Sequence, residues 1–188
     1  MTEILRPGAG LIFMKVGTHA QEPLSEIIAR KRKEIAEAGV SFWGYGGGTC
    51  HPLTAVQPFA QDFVRRGRVI YLCMQPMNSQ HFALPDRAQE YSTDGVKWEQ
   101  IPKQINVRGS RYALTIQELH EEKFELPLAR TRVAVGNSQG RRGDQYIGGH
   151  VDKACLEVTE DLPADAEGPV EIGLVARLVE PFAVLVRS

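Results

Sequence analysis

The sequence predicts an α+β domain: a curved, largely antiparallel sheet or open β-barrel, with two helices in the N-terminal half. Three observations carry this. Two stretches with helical apolar spacing lie before Gly67, and the rest of the chain has almost none. The second half instead holds β-rich runs separated by turn residues. A doubly wound parallel sheet would need a helix after each strand, and the second half does not supply them. About seven short strands are expected, within a single domain spanning residues 1–188.

The elements follow in order. Leu11 to Val16 is an apolar run between Gly10 and Gly17 and predicts a buried first strand. A helix follows from about Pro23 to Ala38, with Leu24, Ile27, Ile28 and Ile35 on one face and Gly39 as its stop. Its basic run Arg30–Lys33 covers more than one turn, and reads as a solvated outer face balanced by Glu26, Glu34 and Glu37. Phe42 to Tyr45 predicts a strand end entering a tight loop, Gly46–Gly48. Val56, Phe59, Phe63 and Val64 mark the second helix, and Val69 to Met74 the next strand. Tyr91 to Ile101, with Asp94-Gly95 at its turn, reads as a hairpin. Tyr112–Ile116 and Thr131–Val135 are strand candidates on either side of an acidic surface segment, Glu118–Glu125. Val151–Val158 and Val170–Val186 complete the set, with Pro181 expected to break the last run in two. Residues 159–169, acidic and rich in Pro and Ala, predict an exposed loop.

Composition narrows the function classes. Hydrophobic residues make up 43% and charged residues 24%, as in ordinary globular domains, which excludes a disordered tail or a fibre. Lys and Arg number 22 against 23 Asp and Glu, so coating of nucleic acid by bulk charge is disfavoured and only a local patch could bind it. Three cysteines do not make a disulfide framework, which predicts a reducing, cytoplasmic setting. With no basic stretch leading into a long apolar run, neither a signal peptide nor a membrane span is expected. No pattern encodes the oligomeric state.

Two constellations could carry chemistry. In the first, glycines 46–48 let backbone amides approach a ligand while Trp43 or Tyr45 offers a stacking face, with Trp43 expected at a pocket rim. Cys50 beside His51 admits a cysteine nucleophile, with His150 or His81 as partner base, although sequence neighbours usually diverge. Cys73 and Cys155 lie in apolar strands and read as small hydrophobes. Ligand spacing for a metal is lacking, so no metal and no cofactor is expected. In the second, the strand ending at Val135 opens into Gly136–Gln145, where Asn137, Ser138, Arg141 and Arg142 could form an anion nest. A solvated hairpin connection is the alternative. Of two adjacent arginines, only one would face the ligand.

The aromatic-Trp-Gly stretch after the first helix, with Gly67-Arg68-Val69-Ile70-Tyr71 entering a strand, resembles the PUA-like superfamily, including EVE and ASCH domains. The similarity covers residues 10–75; Arg68 stands where that family often has Asp, and the overall chain looks more like a bacterial family of its own. The resemblance implies a small curved barrel that holds a modified base or nucleotide in an aromatic pocket, with Trp43 and Tyr71 lining it. The reading is therefore a domain that binds a planar anionic small molecule such as a nucleotide. Its alternative is a small metal-independent enzyme using Cys50 or His51 with His150 on a similar ligand.

Overall fold

The computed structural model describes residues 3–81, 83–148 and 151–188, the side chains of Gln80 and His81 apart. It is an α+β domain. Strand β1 (Gly10–His19) leads into helix α1 (Leu24–Ala38), then strand β2 (Ser41–Tyr45). A π-helical turn, Pro52–Val56, runs into α2 (Gln57–Arg65), and β3 (Ile70–His81) follows. The remaining elements are β4 (Glu90–Ser92), β5 (Glu99–Gln100), β6 (Tyr112–Leu126), β7 (Thr131–Val133), a short α3 (Gly143–Tyr146), β8 (Lys153–Val158) and β9 (Val170–Arg187).

The main sheet runs β2-β6-β9-β3-β1-β8-β7, with the β4–β5 hairpin attached to β9. Its path is open. Only β1 and β3 pair in parallel, joined through α1, β2 and α2; the other pairs described are antiparallel. Strands far apart in this order share one core. Trp43 and Tyr45 of β2, Leu114 and Ile116 of β6, and Ile12 and Met14 of β1 pack in the same cluster as Ile27 and Ile28 of α1 and Phe59 and Phe63 of α2. The opposite face of β1, Leu11 and Phe13, belongs to a second cluster with Cys73, Leu126 and Leu156. Alternation along β1 therefore feeds two cores, as period-2 side-chain geometry requires.

Helix α1 presents the expected face: Ile27 and Ile28 are buried, and Leu24 and Ile35 pack partly against the same core. Three expectations change. The strands are not all short, since β3, β6 and β9 span 12, 15 and 18 residues. The acidic segment Glu118–Glu125 is the outer half of β6, where buried Leu119 and Phe124 alternate irregularly with exposed charged residues through two register shifts. Pro181 does not end the last strand. It sits in a bulge of β9, where the step from Leu178 to Ala183 opposes only Ile116 to Leu114 on β6. Residues at a bulge make no ladder bond, so a proline is tolerated there.

Candidate functional site: a cationic cavity beside the glycine loop

A cavity of about 880 Å³ opens between the C-terminal half of β1, α1, the end of β2 with its glycine loop, the 106–111 loop and the start of β8. Trp43 and Tyr45 alternate with Gly44 along β2, so both aromatic side chains turn to the core face while Gly44 faces the 106–111 loop. A Cβ at Gly44 would sit 3.0 Å from Val107 Cγ1 and closer still to Ser110 Oγ, so only glycine lets that loop approach. Trp43 is 5% exposed yet forms part of the wall. It is at once core and lining, rather than an exposed rim residue. The Tyr45 hydroxyl donates to the Cys50 carbonyl at 2.5 Å, and burial pushes its pKa up. This bond ties the end of the glycine loop back to β2.

Gly47 has a φ of +95°, and a Cβ there would lie 3.4 Å from Lys153 Nζ. The backbone N–H groups of Gly46 through Cys50 make no hydrogen bond to another described residue. Gly46 to Thr49 line the cavity, so these donors stand at its wall.

Charge around the cavity is one-sided. Lys15, Arg30, Lys31, Arg108, Arg111 and Lys153 line it, against Glu22 and Asp152. Half of these cations already have carboxylate partners. Arg30 pairs with Glu22 at 2.5 Å and Glu34 at 2.9 Å, Lys31 with Glu34 at 3.0 Å, and Lys153 with Asp152 at 2.7 Å. Lys15, Arg108 and Arg111 have no carboxylate partner among the described residues. The 106–111 loop that carries two of them is held from several sides. His19 Nε2 donates to the Arg108 carbonyl at 3.0 Å, and Ser110 Oγ donates to the same oxygen at 3.0 Å. The Asn106 carbonyl accepts from Arg30 and Lys31, and its N–H donates to Glu34 at 3.1 Å.

That network corrects the reading of the Arg30–Lys33 run as a solvated face. Arg32 and Lys33 are exposed, but Lys31 and Glu34 are each 2% exposed. Four consecutive helical residues circle the axis, so at least one must turn inward. Here it is Lys31, one turn from Glu34, whose carboxylate also accepts from Ser41 Oγ at 2.5 Å. Burial pulls the Lys31 ammonium down to about 8, although the Glu34 charge acts in the other direction.

The structure distributes the other sequence-predicted residues elsewhere. Tyr71 lies on the face of β3 opposite Leu72, packs partly against the second core and donates to Glu3 at 3.3 Å; it does not line the cavity. Neither do Cys50 and His51. Cys50 is buried with Sγ 3.9 Å from Cys155 Sγ. His51 Nδ1 accepts from the Leu53 N–H at 3.2 Å, and its ring meets Tyr112 edge-on at 5.1 Å. His150 lies outside the described residues, as does the side chain of His81. Asn137, Ser138, Arg141 and Arg142 are likewise away from the cavity. Arg142 grips both oxygens of Asp144 at 2.6 and 2.8 Å and reaches Asp165 at 2.7 Å. Arg141 is exposed, with its guanidinium 5.5 Å from the Tyr146 ring centre.

Sequence reasoning missed His19, Arg108, Ser110 and Lys153. The only local signal was Arg108-Gly109-Ser110-Arg111, a basic turn whose place at the cavity depends on long-range contacts with β1 and α1. Among the described residues no three His, Cys, Asp or Glu side chains group as metal ligands, and no helix is long and apolar enough to cross a membrane. No known protein family, curated protein or solved structure matches the chain.

Proposed function

We propose that this chain is a small-ligand binding domain whose cavity takes a planar anionic molecule such as a nucleotide or modified base. The observation that carries the reading is the excess of cations around a cavity walled by Trp43, with Lys15, Arg108 and Arg111 in no direct ion pair with a carboxylate among the described residues. An anion there would gain charge-assisted hydrogen bonds without first breaking an ion pair. The amides of the glycine loop, without a hydrogen-bond partner among the described residues, supply further donors for phosphate or carboxylate oxygens. The cavity falls within the usual range for a ligand of nucleotide size. In this reading the sheet curves as an open barrel of PUA-like kind, the protein works in the cytoplasm, and contact with nucleic acid is confined to the cavity mouth.

The test uses adenosine and guanosine monophosphates and inorganic phosphate as probes. Trp98→Phe leaves Trp43 as the sole indole, since the chain has two tryptophans. A nucleotide that binds should change Trp43 emission and raise the melting temperature by mass action. Arg108→Ala should weaken that binding. Nucleotides that leave both the emission and the melting temperature of the parent unchanged would remove the proposal.

A further inference from the structure

We propose that Cys50 and Cys155 form a reversible oxidation site: a dithiol that a peroxide converts into a disulfide joining the glycine loop to β8. The two Sγ atoms are 3.9 Å apart, although the residues lie 105 positions apart in sequence. A modest approach of the sulfurs would bring them to bonding distance. Neither cysteine lines the cavity, but each adjoins a segment that does. Cys50 follows Thr49, the last lining residue of the loop, and Cys155 lies two residues beyond Lys153, another lining residue. The loop and β8 already meet once, where the Gly47 backbone sits beside Lys153 Nζ. A disulfide would add a second, covalent tie.

The two thiols have different roles. Cys155 is 3% exposed, and its hydrogen bond with Cys50 and its burial hold its thiol protonated well above the ordinary value. Cys50 is 6% exposed, in a left-handed backbone conformation (φ 58°), at the end of a loop whose Gly47 and Gly48 are open to solvent. Movement of that loop exposes Cys50 first, so Cys50 is the attacking sulfur. Its thiolate attacks one peroxide oxygen and the O–O bond breaks. The departing hydroxide takes up the proton the thiol released and leaves as water, with a sulfenic acid left at Cys50. The Cys155 sulfur then attacks the sulfenic sulfur, and the second water leaves with the Cys155 proton. In sum, two thiols lose two electrons and two protons, one peroxide is reduced, and two waters form. A thiol reductant reverses the change. Cys73 is the internal control, being wholly buried in the other core cluster with its thiol pushed up by desolvation.

The experiment takes the full chain, reduced and desalted, and treats it with hydrogen peroxide. The intact mass should fall by two hydrogen atoms, and non-reducing peptide mapping should link Cys50 to Cys155 while Cys73 remains alkylatable. In Cys155→Ser the mass should instead rise by one oxygen, trapped by a dicarbonyl probe at Cys50. Amide hydrogen exchange across Gly46–Cys50 should slow in the oxidised parent. Three alkylatable thiols in the treated parent, or a link through Cys73, would overturn the assignment, and that map needs no variant to fold. Unchanged exchange in a linked protein would overturn the tie to the cavity loop. None of these readouts depends on the nucleotide reading.

Discussion

Two pairs of adjacent basic residues, Arg30–Lys31 on α1 and Arg141–Arg142 before α3, have nearly the same sequence chemistry and different partners. Arg30 and Lys31 face the core side of the helix, where buried Glu34 and the Asn106 backbone anchor the loop bearing Arg108 and Arg111. Arg142 is spent on buried Asp144, two residues away, and on exposed Asp165, while Arg141 is exposed with its guanidinium beside the Gln145 carbonyl and the Tyr146 ring. Water is largely excluded from both carboxylates, Glu34 and Asp144, so what separates the two regions is what each carboxylate also holds. Glu34 fixes the Asn106 loop at the cavity, whereas Asp144 closes a local turn with Arg142, away from it.

The sharpest break of this comparison is Glu34→Gln. It leaves Lys31 and Arg30 in a buried site with less compensating charge, and should cost about 3–5 kcal/mol, the range for breaking a buried pair from one side. Denaturant unfolding measures it. A cost below about 1 kcal/mol, that of an exposed ion pair, would sink the assignment of Glu34 as a buried anchor. At the cavity, Arg108→Ala should lower nucleotide affinity by about 1.5–3 kcal/mol, the worth of a hydrogen bond to a charged group, while Arg142→Ala leaves affinity unchanged. Calorimetry on both variants decides, and an Arg142→Ala protein that loses binding would return the anion site to the 137–145 loop.

Lys31→Met should cost less than Glu34→Gln, because Glu34 keeps Arg30, Ser41 and the Asn106 N–H as partners. It also carries a pH signature. The Lys31 pKa is lowered on folding from 10.5 to about 8, so between those values the unfolded chain binds more protons than the folded one. Stability from this group therefore rises as pH climbs from about 8 towards 10.5, and below pH 8 its charging penalty is fully present. Lys31→Met should lack that rise; melting curves of both proteins across this window test it. The smallest effect belongs to Asp144. The bidentate Arg142 guanidinium holds its carboxyl below the ordinary value, so its stabilisation is present above that value and fades as pH falls through the lowered one. Asp144→Asn should flatten acid unfolding slightly, because Arg142 keeps Asp165 as a partner; acid melting curves of both proteins test it.

Much of the fold was legible in the chain because it rests on local periodicity. The α1 face of Leu24, Ile27, Ile28 and Ile35 and the apolar run of β1 follow from spacing. The β4–β5 pairing also forms, but through a longer connection over residues 93–98 rather than a tight Asp94-Gly95 turn. The long reach of β6 was hidden, because an edgewise strand segment such as Glu118–Glu125 buries only Leu119 and Phe124 and looks polar throughout. Of the candidate site, Trp43, Tyr45 and the glycine loop were visible as a local cluster of aromatics and residues free of Cβ.

The apolar stripe of α1, the alternation of aromatic side chains with Gly44 along β2, and the glycine-rich loop after it are written into the local order of residues. Those facts depend on neighbours within a turn or a strand, and backbone geometry transmits them over a few residues. The burial of Lys31, the reach of Arg108 to the cavity and the meeting of Cys50 with Cys155 arise from long-range packing instead. Each depends on segments tens of residues apart being packed together, and the free energy of a charge or a thiol is set by what lies beside it in space.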